Sequence, residues 1–220
     1  GDFQIEFTLV QSVLRDENLK LIFICTPNNP TGNIIDTAAI KSILDNLMGI
    51  VLIDEAYIDF SEEESWLKCL SRYPNLIISQ TFSKAWGLAA ARVGTAFSSK
   101  EIIDLFNKVK PPYNVSGLNQ KAAIDALVNQ EAFEKNKSTI LSEKQRVEQS
   151  LSEIPCVQKI YPSNANFILI QVTDANGIYD QLVKEKIITR NRNNLVRNCI
   201  RITIGSPEEN SQLLSLLKTL

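Results

Sequence analysis

Lys84 is the residue in this chain best placed for covalent chemistry. It lies in Thr81-Phe-Ser-Lys-Ala-Trp-Gly87, a polar loop that follows the apolar run Asn75-Leu-Ile-Ile-Ser79, with Ser83 beside it and Arg92 further along. A primary amine can condense with an aldehyde, and a hydroxyl with a guanidinium supplies dispersed donors for an anion. Asp54 ends a second apolar run, Ile50-Val-Leu-Ile53, where a carboxylate can hold a proton on a ring nitrogen that faces it. The chain contains no histidine, so a Ser-His-Asp or Cys-His site within it is excluded. Zinc would depend on scattered thiolates and carboxylates, and acid-base work falls to Lys, Tyr, Asp or Glu.

These residues need elements that bring them together. Lys20-Leu-Ile-Phe-Ile-Cys25 reads as a strand feeding the turn-rich Thr26-Pro-Asn-Asn-Pro-Thr-Gly32. Asp36 caps a helix whose apolar positions Ile40, Ile43, Leu44 and Leu47 recur at helical spacing, and Gly49 stops it before the Ile50 strand. A helical stretch is expected from about Glu62 to Ser71, then the Asn75 strand. Near-continuous apolar strands separated by amphipathic helices predict a parallel sheet covered on both faces, with ligands at the carboxyl ends of the strands. The loops at Asn28-Asn29, Asp54 to Tyr57 and Ser83-Lys84 then share one edge.

Further on, Ser98-Ser-Lys-Glu101 predicts a capping box for a helix to about Val109, ended by Pro111-Pro112. A helical region from about Ser116 to Leu151 follows in two pieces. Then come a strand at Phe167 to Val172, a helix from about Ile178 to Lys186 and a strand at Ile200 to Ile204. Ser206-Pro-Glu-Glu209 opens a final helix with an N-cap serine, a proline at the first position and a glutamate three residues after the serine, as in a capping box. The expected organisation is a first domain over 1–110, a helical connection over 111–152 and a smaller domain over 153–220.

Composition narrows the partners. A formal charge of −2, with no basic run interleaved with aromatics, leaves no electrostatic footprint for nucleic acid. Cys25, Cys69, Cys156 and Cys199 are far apart with no C-x-x-C pair. No stretch reaches the roughly 18 apolar residues of a membrane span, and the N-terminus lacks the regions of a signal peptide, which predicts no membrane partner and a cytoplasmic protein. The missing initiator methionine points to a tag remnant, a processed product or a fragment.

Amine, anion donors and carboxylate are what pyridoxal phosphate requires: Lys84 for its aldehyde, Ser83 and Arg92 for its phosphate, Asp54 opposite its ring nitrogen. A free lysine, with a pKa of about 10.4, is a poor base at neutral pH, so the amine needs its surroundings to act as one. Taken singly, each residue also has a plain reading: a solvated loop lysine, turn asparagines at Asn28 and Asn29, a core tyrosine at Tyr57. Asp54-Glu55 equally fits the strand-end acidic pair of a nucleotide hydrolase holding magnesium. That reading needs a G-x-x-x-x-G-K-[ST] loop, which the chain lacks.

Taken together, Thr26 to Gly32, Asp54-Glu-Ala-Tyr57 and Thr81 to Gly94 resemble the signature segments of fold-type-I aminotransferases, in order and spacing. The resemblance implies an α/β fold: part of the large, mostly parallel three-layer sheet domain, plus a small α+β C-terminal domain. It implies pyridoxal 5'-phosphate as cofactor and Lys84 as the residue that holds it. Asp54 then pairs with the pyridine nitrogen, Asn29 and Tyr57 bond the ring hydroxyl, and Thr81, Ser83 and Arg92 bind the phosphate. Asp54-Glu-Ala-Tyr-Ile-Asp-Phe60, Lys110-Pro-Pro-Tyr-Asn-Val115, Arg190-Asn-Arg192 and Cys199-Ile-Arg-Ile-Thr-Ile-Gly205 are similar to the histidinol-phosphate aminotransferase family. That implies histidinol phosphate, glutamate and 2-oxoglutarate as substrates, with Arg201 gripping the substrate anion and Arg190 and Asn29 as further contacts. It also implies a homodimer.

Members of that family are longer at the N-terminus. On that comparison the chain lacks the helix N-terminus that cradles the cofactor phosphate, the aromatic that stacks on the ring and the arm over the substrate. The expectation is that the chain by itself is inactive or much impaired. A threonine-phosphate decarboxylase or an aromatic aminotransferase of the same fold is the nearest rival, and a non-catalytic assembly fragment is the alternative of another class.

Overall fold

The computed structural model describes residues 3–220. By its internal contacts the chain divides into two compact units, one of Gly1–Asn28 with Ile34–Glu134 and one of Asn29–Asn33 with Lys135–Leu220.

The first unit opens with helix α1 (Phe7–Leu14), followed by strand β1 (Leu21–Cys25), helix α2 (Thr37–Asn46), and strands β2 (Ile50–Asp54), β3 (Leu76–Thr81) and β4 (Gly94–Phe97). Asp36 caps α2 by accepting from Ala38 N at 2.8 Å. At the far end, a Cβ on Gly49 would collide with the Lys20 backbone, so only glycine allows the chain to enter β2 there. β1, β2 and β3 pair in parallel and β4 joins antiparallel, in the order β1-β2-β3-β4. Because side chains alternate, Ile24, Val51, Ile53, Leu76 and Ile78 share one face and pack with Ile40, Ile43 and Leu44 of α2. On the other face Phe23 is 66% exposed, so among the described residues the cover expected on both faces is present on only one at β1.

The helix expected from Glu62 to Ser71 does not form. In its place stands one 3₁₀ turn, Trp66–Cys69, with another, Ile58–Phe60, just before the segment. The reason is Glu55, whose buried carboxylate accepts from Ser65 Oγ (2.6 Å) and Trp66 N (2.7 Å) and so anchors the middle of the segment away from helical geometry. The capping box expected at Ser98 is also absent. Helix α3 (Lys100–Val109) has Ser99 at its N-cap with no side-chain cap, because Ser98 Oγ donates to Leu76 O at 2.6 Å instead. Helix α4 (Gly117–Val128) is capped by Ser116, and α5 (Gln130–Leu151) begins in this unit and continues into the next.

The second unit adds β5 (Val157–Ile160), β6 (Phe167–Val172), α6 (Ala175–Lys184), β7 (Arg190–Asn191), β8 (Cys199–Thr203) and α7 (Pro207–Leu217). Its sheet is antiparallel, ordered β5-β6-β8-β7. α6 starts earlier than expected because Asp174 accepts from both Asn176 N and Gly177 N at 3.1 Å. Ile168, Ile170, Ile200 and Ile202 form the inner face and pack with Val147 and Leu151 of α5 and Leu213 and Leu217 of α7, each such burial contributing about 2 kcal/mol. α7 carries the full capping box of Ser206 and Glu209 expected for it. The segment Asn29–Asn33 belongs here because Gly32 O accepts from Asn164 N at 2.7 Å and Ser163 packs where a Gly32 Cβ would sit. No helix of the described residues is long and apolar enough to cross a membrane.

Glu143 ties α5 to α7. Its carboxylate accepts from Arg146 (2.9 and 2.7 Å) and from Asn210 Nδ2 (2.8 Å), while Asn210 also bonds both polar groups of the Gly205 backbone at 3.0 Å. These hydrogen bonds, Arg146 first and Asn210 next, hold the Glu143 carboxyl below the usual range despite its burial. The stability it contributes is therefore present above the ordinary glutamate range, about pH 4.3, and lost as pH falls through the lower folded value. Acid unfolding of this unit, followed by NMR, is expected to lose that step in Glu143→Gln, with a cost at neutral pH of about 1–2 kcal/mol.

Candidate active site

In the first unit the carboxyl ends of the parallel strands form one edge, and the sequence places chemistry on it. Asp54 is the last residue of β2, in register with Cys25 on β1 and Ser79 on β3, so the three form a row on one face. Asp54 Oδ1 accepts from Ala56 N at 2.9 Å, a local turn that orients the half-buried carboxylate. Burial pushes the Cys25 thiol up, and the neighbouring Asp54 carboxylate adds to it, so a neutral thiol stands beside the acid. The sequence reading missed Cys25 and Ser79; the signal was their place at the ends of the two strands flanking β2.

Glu55 points to the opposite face. Besides Ser65 and Trp66, it accepts from Gln80 Nε2 at 2.9 Å, and it is 1% exposed. Alternation along the strand separates the two acids, and the bonds to Glu55 consume its oxygens, so the magnesium pair considered from the sequence is overturned. No cluster of three or more metal-ligating side chains occurs among the described residues.

Lys84 sits in the loop between β3 and β4. Thr81 pairs with Gly94, Phe82 N donates to Val93 O at 3.1 Å, and Thr81 Oγ1 accepts from Ser83 N (3.1 Å) while donating to Val93 O (3.4 Å). Phe82 and Ala85 are buried, and Trp86 stacks on Phe133 with centroids 4.0 Å apart. A turn from Lys84 O to Gly87 N (3.0 Å) closes on Gly87, whose φ of 69° suits glycine. With its neighbours anchored, the half-buried Lys84 is held with Nζ 5.2 Å from the centre of the buried Tyr57 ring, within cation–π range. Arg92 is exposed, has a left-handed backbone (φ 53°) and donates from Nη1 to Ala89 O at 3.0 Å. A non-glycine residue in that region is uncommon and marks a constrained loop end. Amine, carboxylate, aromatic hydroxyl and hydroxyl donors at one sheet edge suit a flat heteroaromatic aldehyde that carries an anion.

The other predicted residues lie in the second unit. Arg201, in the middle of β8, donates from Nη1 to Asn29 Oδ1 at 2.6 Å, with its Cζ 4.8 Å from the Phe167 ring centre. Stacking and a fixed hydrogen bond orient the planar donor fork, which suits a carboxylate or a phosphate. Arg190 is exposed on β7, directly opposite Arg201.

Comparison with known proteins bears on this arrangement. The family described as aminotransferase class I and II matches residues 1–217. The histidinol-phosphate aminotransferase of Flavobacterium psychrophilum is 51% identical over 207 residues, covering 93% of this chain and 60% of that protein. The enzyme of the same name from Flavobacterium johnsoniae is 45% identical over 221 residues, covering 100% and 63%. The chain thus spans about 60% of the length of these curated relatives. Among solved structures, the histidinol-phosphate aminotransferase of Clostridium acetobutylicum superposes with a TM-score of 0.90 at 25% identity, covering 99% of this chain and 68% of that one. That of Sinorhizobium meliloti, solved in complex with pyridoxal-5'-phosphate, gives 0.88 at 26%, covering 100% and 62%. With a family match that runs nearly end to end, and an amine and a carboxylate where two strands of its sheet end, the chain belongs to the class I and II aminotransferases.

Proposed function

We propose that the protein carrying this chain is a pyridoxal-phosphate-dependent transaminase that moves an amino group between histidinol phosphate or imidazole-acetol phosphate and glutamate or 2-oxoglutarate, in L-histidine biosynthesis. The observation that carries this is the placement of Lys84 beyond β3 and Asp54 at the end of the neighbouring β2, in a chain whose relatives are named for that reaction. The cofactor, when bound, supplies an electron sink for the carbon that loses its proton.

The residues of the chain do the rest. Lys84 would hold the cofactor, and its Nζ would be the base that moves the proton at the substrate carbon. Asp54 would accept from the ring nitrogen and keep it protonated. The Tyr57 hydroxyl and Asn29 would orient the ring hydroxyl, while Thr81, Ser83 and Arg92 would bind the cofactor phosphate. Arg201, assisted by Arg190, grips the substrate's anionic end. The protein works in the cytoplasm as a homodimer.

The test is a substrate profile of the intact protein purified with the cofactor. Glutamate formation from histidinol phosphate and 2-oxoglutarate is expected to exceed that from aromatic amino acids by about 100-fold in kcat/KM. Carbon dioxide release from threonine O-phosphate at a comparable rate would replace this reading with the decarboxylase.

A further inference from the structure

Arg201 and Arg190 face each other across the β8–β7 ladder, so their side chains leave the sheet on the same side, with Cβ atoms about 5 Å apart. The ladder continues one step further: Arg192 N donates to Cys199 O at 2.9 Å. Alternation along the strand then returns Arg192 to the side of Arg190 and Arg201, opposite the Ile200 and Ile202 core face. Three guanidinium groups thus leave neighbouring positions, two on the β7–β8 pair and one on the residue that follows β7. Like charges so placed repel.

Nothing among the described residues offsets this at two of them. Neither Arg190 nor Arg192 makes an ion pair or a side-chain hydrogen bond there, and the Nε of Arg192 is shut off from solvent without an acceptor. A buried donor left in that state is destabilising, and an anion accepting from it would remove the penalty. The backbone that presents Arg192 is also held in place. Its carbonyl accepts from Leu195 N and Val196 N at 2.8 Å, Asn193 Oδ1 accepts from Asn198 N at 2.7 Å, and Asn191 is tied to Asn176 of α6 at 2.8 Å.

We propose that Arg192 is a specificity-determining residue that joins Arg190 and Arg201 in binding a phosphate monoester in preference to a carboxylate. The inference rests on the reading above in which Arg201 and Arg190 contact the substrate anion. A carboxylate has two oxygens in one plane, and one fork of donors engages both. A phosphate monoester presents three terminal oxygens and up to two charges, and so engages further forks. Arg201 therefore serves both substrate types, and Arg192 serves only the phosphorylated one.

Isothermal titration of inorganic phosphate and of acetate into the chain at low ionic strength tests this, alongside steady-state kinetics of the intact protein. Arg192→Gln is expected to weaken phosphate by about tenfold and to raise KM for histidinol phosphate similarly, while acetate affinity and KM for glutamate move by less than about twofold. Arg192→Lys restores part of the phosphate affinity, since it keeps the charge without the fork. If Arg201→Gln weakens both anions and Arg192→Gln weakens neither, the role of Arg192 is refuted and the anion face stands. If Arg201→Gln changes neither, the reading of that face falls, and the inference with it.

Discussion

Lys84→Ala is expected to abolish the borohydride-stable adduct between the protein and pyridoxal phosphate, read by mass spectrometry, and to lower transamination by about 10⁴-fold. Lys84→Arg is expected to do the same, because a guanidinium keeps the charge but neither condenses with an aldehyde nor gives up its proton at neutral pH. The fold gives no reason for either variant to unfold. Lys84 is half-buried, and the loop around it is held by Phe82, Ala85 and Trp86 and by the Thr81 and Val93 hydrogen bonds, not by the amine. An unchanged circular dichroism spectrum with the adduct lost is thus the expected pair of results. A full-yield adduct in Lys84→Ala would move the attachment to another lysine and remove the assignment of the site.

Glu55→Ala is expected to produce the largest loss of stability among single substitutions near the site, about 3 kcal/mol. The carboxylate is 1% exposed and accepts from Ser65 Oγ, Trp66 N and Gln80 Nε2 together, so its removal leaves the buried Trp66 N–H without its acceptor and takes from Ser65 and Gln80 the partner they share. Hydrogen exchange at the Trp66 amide isolates the effect to the first unit, where a single denaturation midpoint for a chain of two units would mix contributions. Glu55→Gln is expected to cost less, since one oxygen remains for Trp66 while its new amide faces the donors of Ser65 and Gln80. Because Asp54 precedes Glu55, release of this anchor is also expected to lower activity without any contact to the cofactor. An unaltered exchange rate at Trp66 in Glu55→Ala would show that the loop is held by something else.

Local chemistry explains which parts were readable in advance. β1, β2, β3, β6 and β8 are runs of apolar, mostly β-branched residues bounded by turn formers, and the caps at Asp36 and Ser206 lie within a few residues of the groups they satisfy. Short strands gave weaker signals: β4, β5 and β7 are at most four residues long, and pairing with a neighbour defines them. Ser98 and Glu101 have the spacing of a capping box, yet the Leu76 carbonyl, far away along the chain, claims the hydroxyl first. Glu62 to Ser71 reads as helix until a buried carboxylate from β2 takes hold of its middle.

Sequence alone determined the chemical inventory: the absence of histidine, the lysine loop beyond a strand, and the acid at the end of the strand before it. Such features are carried by residue type and by strands that declare themselves through hydrophobic pattern. Tertiary structure alone decided that Asp54 and Glu55 serve opposite faces, that Cys25 and Ser79 flank the acid, that Asn29–Asn33 packs with the second unit, and that Arg190 stands opposite Arg201. Each of these depends on register or on a partner distant along the chain, and a one-residue slip in either sheet would send the same side chains to the other face.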